Sequence, residues 1–206
     1  MGVSDEQTCR PTRVVGFAER ATGSFAASAF VCTLQAGSPG TLNCGSGLQQ
    51  LPMPTIPFSK TGAGQPAAVA YAFGVSPSGN HVVGVACGPA ASNCDSFTST
   101  EQRNYFAVDW VFNPNTGAWT AAAIDDILGT GSPYRLLAAY SVNDYGDVGG
   151  FGCQVSSGNN CSAGSTYGAM RFSPSQRVAP PACSASIKSS VVPSDRIQRM
   201  DTCPNC

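Results

Sequence analysis

The chain has 206 residues, a formal net charge of −1 and charged side chains at only 11% of its positions. This length suits one domain, and the low charge excludes a basic surface for nucleic acid or for an anionic membrane. Apolar residues make up 42% of the chain, and Gly (23) and Pro (15) are both frequent. The composition predicts an all-β domain of short strands and many turns, and no apolar run is long enough to span a membrane.

The first third of the chain predicts three strands after a polar start. Residues 1–12 are expected to be a lead-in, either unstructured or held as one edge strand, and residues 1–10 contain no recognisable signal peptide. Strands are predicted at 13–18, 25–34 and 45–51. Residues 52–66 are rich in Pro, Gly, Ser and Thr, which predicts a loop.

The middle of the chain carries the most regular strand pattern. Strands are predicted at 69–75, 81–87, 105–112 and 118–124, and a polar loop at 88–103. The run Asn113-Pro114-Asn115-Thr116-Gly117 predicts a hairpin turn, because Pro suits its first corner and Gly its left-handed position.

The last third predicts fewer strands and an extended end. A connection at 125–136 contains one helical turn at 125–128, and strands follow at 137–142, 147–153 and 167–172. Residues 175–206 are rich in Pro, Ser and Arg, which predicts an extended or capping tail.

One motif recurs at near-equal spacing and indicates an internal repeat. A short strand, a polar turn and a second strand close on Gly84 and again on Gly150, and a truncated copy closes on Gly16. The β-repeat domain is therefore predicted at 13–174, with units at 13–80, 81–146 and 147–174. Units of about four strands must stack or close into a ring to bury their apolar faces, which predicts a propeller-like arrangement.

Ten cysteines predict an oxidising compartment and disulfide staples. Spacing within the repeat predicts three local pairs, Cys32–Cys44, Cys87–Cys94 and Cys153–Cys161. The other four allow three pairings. We favour Cys9–Cys183 and Cys203–Cys206, and three alternatives stay open: a zinc site, a C-x-x-C redox motif at the chain end, and bridges to a neighbouring subunit.

Few residues qualify as catalytic. His81 is the only histidine, it opens an apolar strand, and no G-x-S-x-G elbow accompanies it. A hydrolase would have to use Asp125, Asp126, Asp144 or Asp147. The first two are expected to cap a turn, and Asn143-Asp144-Tyr145-Gly146-Asp147 to form an Asx turn and not a calcium loop. We therefore predict no enzyme activity, no cofactor and no metal.

Aromatic residues crowd one predicted hairpin. Alternation places Phe106, Val108 and Trp110 on one face, as expected for core. The aromatic group as a whole consists of Tyr105, Phe106, Trp110, Phe112 and Trp119. Most of it is expected to be core, and a part of it would line a carbohydrate-binding or subunit contact.

The order of these motifs resembles the bacterial extracellular HAF-type repeat. The matching runs are Phe73-Gly74-Val75-Ser76-Pro77-Ser78-Gly79 with Val82-Val83-Gly84, then Asn113-Pro114-Asn115-Thr116-Gly117, then Ser141-Val142-Asn143-Asp144-Tyr145-Gly146-Asp147-Val148-Gly149-Gly150. The resemblance covers roughly residues 13–174. It implies a propeller-like all-β fold and a secreted or surface location, and it implies no defined activity.

The leading hypothesis is a secreted or cell-surface β-repeat protein with a structural or adhesive role. It would self-assemble or join other surface proteins, because about two and a half units do not complete a propeller. The alternative is a module that binds a glycan or surface partner through the loops at 52–66, 88–103 and 125–136. A hydrolase ranks third.

Overall fold

The computed structural model describes residues 2–4, 11–19, 27–34, 44, 47–57, 64–88, 105–129, 131–155, 161 and 166–174. In these ranges the chain forms three antiparallel sheets and one short helix, which confirms the all-β prediction. The predicted tail at 175–206 and most of the loop at 88–103 lie outside the described residues.

Each sheet is a meander in which strands pair with their neighbours along the chain. Sheet 1 contains β1 (Gly2–Val3), β2 (Arg13–Glu19), β3 (Ala27–Thr33) and β4 (Leu48–Gln50). Sheet 2 contains β5 (Val69–Val75), β6 (His81–Cys87), β7 (Tyr105–Asn113) and β8 (Ala118–Ala123), and α1 (Ile124–Leu128) follows it. Sheet 3 contains β9 (Tyr134–Val142), β10 (Val148–Gln154) and β11 (Thr166–Phe172).

The end of the first strand is closed in the same way in all three sheets. A Ser or Asn after the first strand donates its backbone N–H to the carbonyl of a residue at or just before the start of the second strand. The side-chain oxygen of the same Ser or Asn accepts a hydrogen bond from the backbone N–H of that second residue. The pairs are Ser4 with Arg13 (2.9 and 2.7 Å), Ser76 with His81 (2.8 and 3.2 Å) and Asn143 with Asp147 (3.1 and 2.9 Å). This pair of hydrogen bonds therefore occurs three times, and its first copy joins Ser4 to Arg13.

The sheets divide the chain one strand earlier than the predicted units at 13–80, 81–146 and 147–174. Sheet 2 begins with β5, and sheet 3 begins with β9. The motif had marked unit boundaries in the sequence, whereas in the structure it spans the hairpin between the first two strands of a sheet. Gly2–Val3 is the edge strand of sheet 1, which agrees with the edge-strand alternative for residues 1–12.

Two apolar layers separate the sheets. Sheets 1 and 2 enclose Val15, Val31 and Trp110, and the Trp110 Nε1–H donates to the Pro52 carbonyl at 2.8 Å. Sheets 2 and 3 enclose Val83 and Ile124 among others. Side chains alternate along a strand, and both faces of β6 are covered, so this strand is apolar from Val82 to Cys87.

The first strands of the three sheets lie close to one another. A side chain on Gly2 would meet the Phe73 carbonyl oxygen at 2.8 Å, and one on Gly74 would collide with the Tyr140 carbonyl. Glycine is thus required where β1, β5 and β9 approach. Within the described residues the sheets form neither a closed barrel nor a closed propeller, and the third sheet has the three strands that were predicted in this part of the chain.

Candidate functional site

A row of four aromatic rings crosses all three sheets. Phe17 of β2 meets Tyr71 edge-on with ring centroids 4.7 Å apart, Tyr71 lies 6.3 Å from Phe73, and Phe73 lies 5.6 Å from Tyr140 of β9. The ends of the row are open to solvent, with Phe17 48% and Tyr140 51% exposed. Exposed aromatic clusters of this kind mark interaction surfaces.

The repeat places these rings together. Phe73 and Tyr140 hold the same position in the motif, three residues before Ser76 and Asn143, and Tyr71 shares a side of β5 with Phe73. This equivalence was the available signal in the sequence, and it was missed.

Most rings of the predicted aromatic hairpin belong to the core. Tyr105, Phe106 and Trp110 are at most 2% exposed, and Phe106, Val108 and Trp110 join one apolar cluster, as alternation predicted. These three rings do not line the carbohydrate or subunit contact that was suggested for part of this hairpin; sheet 1 covers the face on which Phe106 and Trp110 lie.

Polar groups gather where the turns of sheets 2 and 3 meet. His81 Nδ1 lies 3.2 Å from Asp109 Oδ2, and Asp144 Oδ1 accepts a hydrogen bond from the Ser78 N–H at 2.7 Å. Burial lowers the pKa of His81, but the Asp109 hydrogen bond and the negative charges of Asp109 and Asp144 outweigh it, so the pKa lies above its ordinary value. The pairing of His81 with Asp109 was not predicted, because the two are far apart in sequence.

Ser76, His81 and Asp109 are arranged as structural contacts and not as a catalytic triad. The Ser76 hydroxyl is buried and accepts from the backbone N–H of His81, not from its ring. A serine nucleophile needs an exposed hydroxyl that gives its proton to the ring. The contact between His81 of β6 and Asp109 of β7 therefore links these two neighbouring strands.

The four carboxylates considered for a hydrolase occupy two elements. Asp125 is buried in α1 with Arg135 at 3.6 Å, and Asp126 beside it is exposed. Asp144 and Asp147 belong to the turn before β10, where Asp147 binds Arg171 Nη2 at 3.1 Å. Hydrolase activity remains a hypothesis, and the positions of these four carboxylates do not favour it.

The same turn confirms the predicted Asx geometry. Asn143 Oδ1 accepts hydrogen bonds from the N–H groups of Tyr145 and Asp147, both at 2.9 Å. An Asn side chain that bonds the backbone two residues on defines this turn. The polar side-chain atoms of Asn143 are used within the turn, which is the behaviour expected of a structural feature.

Two of the predicted disulfides are present, Cys32–Cys44 and Cys153–Cys161. Cys87 is also disulfide-bonded. Cys9, Cys94, Cys183, Cys203 and Cys206 lie outside the described residues, as do the zinc, redox and intersubunit alternatives that depend on them. Among the residues that the structure does describe, no three His, Cys, Asp or Glu side chains gather as metal ligands.

Sheet 1 has an apolar outer face. Val14, Phe30 and Leu48 line a shallow groove of about 230 Å³ on this face, together with Gly16 and Ala18. Leu48 is 57% exposed. Alternation directs Val15 and Val31 into the core, so their neighbours in sequence form the opposite face.

Known proteins offer no guide to this surface: no family model, curated protein or solved structure matches the chain. None of the described helices is long and apolar enough to cross a membrane.

Proposed function

We propose that the chain is an extracellular structural or adhesive protein that self-assembles through the outer face of sheet 1. The observation that carries this proposal is the apolar groove lined by half-buried Val14 and Phe30 and by Leu48, which is 57% exposed. Sheet 2 has apolar layers on both sides, whereas no described strand packs on this face of sheet 1. Burying apolar area of this kind is the main favourable term in protein association.

The repeat indicates what would cover the groove. Sheet 1 packs on sheet 2 and sheet 2 packs on sheet 3, so face-to-face stacking is the contact that these units already make. A second copy would continue the stack by placing another sheet on sheet 1. The extracellular location is supported by the Cys32–Cys44 and Cys153–Cys161 disulfides, since such bonds persist in oxidising compartments.

A propeller-like blade geometry and membership of the HAF-type repeat family form part of the proposal. Support comes from the four-stranded meander of sheet 2, the close approach of β1, β5 and β9, and the turn that recurs in all three sheets. In a propeller the first strand of each blade lies nearest the axis. Further units, from this chain type or another, would complete such a ring.

Analytical ultracentrifugation tests the assembly. The wild-type protein should associate as its concentration rises, and Leu48→Lys should remain a monomer because a charge would be buried in the groove. Ile127→Lys is the matched control, since Ile127 is 49% exposed on α1, away from the groove. A wild-type protein that stays monomeric at high concentration would refute the proposal, as would an Ile127→Lys variant that dissociates like Leu48→Lys.

The aromatic row favours a second candidate, a module that binds a glycan or a surface partner. Aromatic side chains supply large contact areas at low entropic cost. A glycan array should show ligands for the wild-type protein that Tyr140→Ala loses. Tyr134→Ala is the control, because Tyr134 is equally exposed and lies outside the row. An array without hits would remove the glycan form of this candidate.

A further inference from the structure

The hydrogen bonds that close the first strand give the three sheets a common register. Arg13, His81 and Asp147 make these bonds in sheets 1, 2 and 3. Counting along the second strand from these residues, and across to the third strand, matches positions of one sheet with positions of the others. Equivalent faces of the three sheets can therefore be compared residue by residue.

One face of each sheet packs on the next sheet along the chain, and we call it the following face. Val15 of sheet 1 lies in the core shared with sheet 2, and the matching Val83 of sheet 2 lies in the core shared with sheet 3. Ala29 and Ala107 match in the same way and lie in the same two cores. The same repeat positions thus form the following face in both contacts.

The opposite face of each sheet packs on the sheet before it, and we call it the preceding face. Val82 and Trp110 of sheet 2 lie in the core shared with sheet 1. The matching residues of sheet 3 are Val148 and Phe172, which pack in the core shared with sheet 2. A preceding face meets a following face in both contacts, so the stacking of these sheets has a direction.

The groove on sheet 1 is a preceding face. Its lining includes Val14, Phe30 and Cys32. The matching residues of sheet 2, in the same order, are Val82, Val108 and Trp110. All three of these are buried in the core with sheet 1. The repeat therefore indicates that the groove receives the following face of another sheet.

Sheet 3 has a following face on which no described strand packs. Ala169 of this face matches Ala29 of sheet 1 and is exposed. Beside it Phe151 and Tyr167 are half-buried, with ring centroids 6.2 Å apart, and they pack on a buried cluster that contains Leu137. Small and aromatic side chains give this face the apolar character that stacked sheets bury.

Charge does not oppose a contact between these two faces. The residues that line the groove are uncharged. Arg171 lies on the following face of sheet 3, where its Nη2 is 3.1 Å from Asp147 Oδ2. Its charge therefore has a partner within the same sheet, and covering this face would not leave an unpaired cation.

We propose that copies of this chain assemble head to tail, with the following face of sheet 3 in one copy packed into the groove on sheet 1 of the next. This inference rests on the proposed self-assembly and names the surface that the groove binds. The two surfaces differ, so every added copy leaves one groove and one following face free, and the assembly grows into a ring or a filament. A groove-to-groove contact would instead stop at a dimer.

Two variants that each block one face test the direction of assembly. Leu48→Lys places a charge in the groove, and Ala169→Lys places one on the following face of sheet 3. A charge buried without a partner should weaken association by about 100-fold or more, so each variant alone should sediment as a monomer. The wild type should grow beyond dimers as its concentration rises. Ile127→Lys is the control and should assemble like the wild type, because exposed Ile127 lies on α1.

An equimolar mixture of the two blocked variants is the decisive measurement. Leu48→Lys keeps its following face and Ala169→Lys keeps its groove, so the mixture should form a dimer with one copy of each and nothing larger. Native mass spectrometry identifies this dimer, because the two variants differ in mass. If Ala169→Lys does not fold, Ser141→Lys replaces it, since exposed Ser141 pairs with Gly149 on the same face.

The outcomes distinguish this inference from the proposed function. A wild-type protein that stays monomeric would refute self-assembly itself. If Ala169→Lys assembles as far as the wild type while Leu48→Lys stays monomeric, the head-to-tail contact is overturned and the groove keeps its role in self-assembly. A mixture in which both folded variants stay monomeric, although the wild type assembles, would also overturn the head-to-tail contact.

Discussion

Arg13 of sheet 1 donates a hydrogen bond from Nη1 to the carbonyl oxygen of Gly79 in sheet 2 at 2.6 Å. Its guanidinium also lies 4.0 Å from the ring centroid of Phe112 and 5.2 Å from that of Trp119. Burial lowers the pKa of Arg13 from its ordinary value, and such a group stays charged at neutral pH. One cation therefore joins two sheets at their turn end and covers the aromatic pair of sheet 2.

Replacing Arg13 should weaken this junction. Arg13→Ala removes a charged hydrogen bond and two cation–π contacts, and we expect the free energy of unfolding to fall by about 2–4 kcal/mol. Arg13→Lys should recover only part of this, because an ammonium lacks the planar fork. Urea unfolding measures both variants. Arg171→Ala is the control: its guanidinium is 67% exposed, so the loss should stay below about 1 kcal/mol. Equal losses at the two sites would contradict this role for Arg13.

Sheets 2 and 3 have their own polar junction. His81 holds the position that Arg13 holds in sheet 1, and Asp144 bonds the Ser78 N–H across the boundary. The junctions share a place in the repeat but differ in chemistry, because only the second contains a group that titrates near neutral pH.

Stability should depend on pH through His81. Its folded pKa lies above the ordinary value of 6.5 because of Asp109 and Asp144, although burial opposes this. The stabilisation is therefore complete below about pH 6.5 and is lost as the pH rises through the folded pKa. We expect the urea midpoint of unfolding to decrease as the pH is raised from about 6 to about 8. The decrease should be steeper in the wild type than in His81→Gln. Parallel pH profiles would show that the pair contributes nothing.

The three glycines that mark the repeat should respond differently to substitution. A methyl group on Gly84 would collide with the Tyr71 carbonyl, and one on Gly150 with the Ala138 carbonyl, whereas Gly16 has no atom within 4 Å of the added carbon. Gly84→Ala and Gly150→Ala should therefore each cost about 1–3 kcal/mol. Gly16→Ala should stabilise by about 0.5 kcal/mol, because Ala restricts the unfolded chain. Thermal unfolding distinguishes the sign, and three equal losses would contradict the explanation.

Most strands were predictable because alternation and turn chemistry act locally. The prediction at 69–75 coincides with β5, that at 81–87 coincides with β6, and the helical turn at 125–128 lies within α1. An edge strand within residues 1–12 was predicted only as one of two alternatives, because the two residues of β1 carry too little pattern. β1 is recognised as the first strand of a repeat by the hydrogen bonds between Ser4 and Arg13. These bonds match those made by Ser76 and Asn143 in the other two sheets.

The candidate surfaces were harder to predict, because each depends on which face of a sheet is covered. Trp110 and Phe17 are both aromatic strand residues, yet one is core and the other is exposed. Only the stacking order of the sheets separates them. The bulges between Ala72 and Gly74 and between Gly149 and Gly150 also break strict alternation, so the faces of β5 and β10 could not be assigned by counting alone.

The Cys153–Cys161 disulfide should stabilise sheet 3 both as a cross-link and as core. Its two cysteines are at most 1% exposed and pack with Leu137, and they are 8 residues apart. In the chain-entropy model a loop this short contributes about 2–3 kcal/mol, so we expect the double variant with Ala at both positions to lose that amount. The double variant with Ser should lose about 1–3 kcal/mol more, because two hydroxyls would enter an apolar cluster.

The Cys32–Cys44 disulfide supplies the comparison for that experiment. Cys44 is half-buried, so a hydroxyl there keeps access to water, and the Ser and Ala double variants at 32 and 44 should differ less than those at 153 and 161. Urea unfolding of the four double variants measures the contribution of the cross-link and that of core packing. The wild type in reducing buffer serves as the reference. If Ser and Ala prove equivalent at 153 and 161, the bond acts only as a cross-link, and its cysteines contribute no core packing to sheet 3.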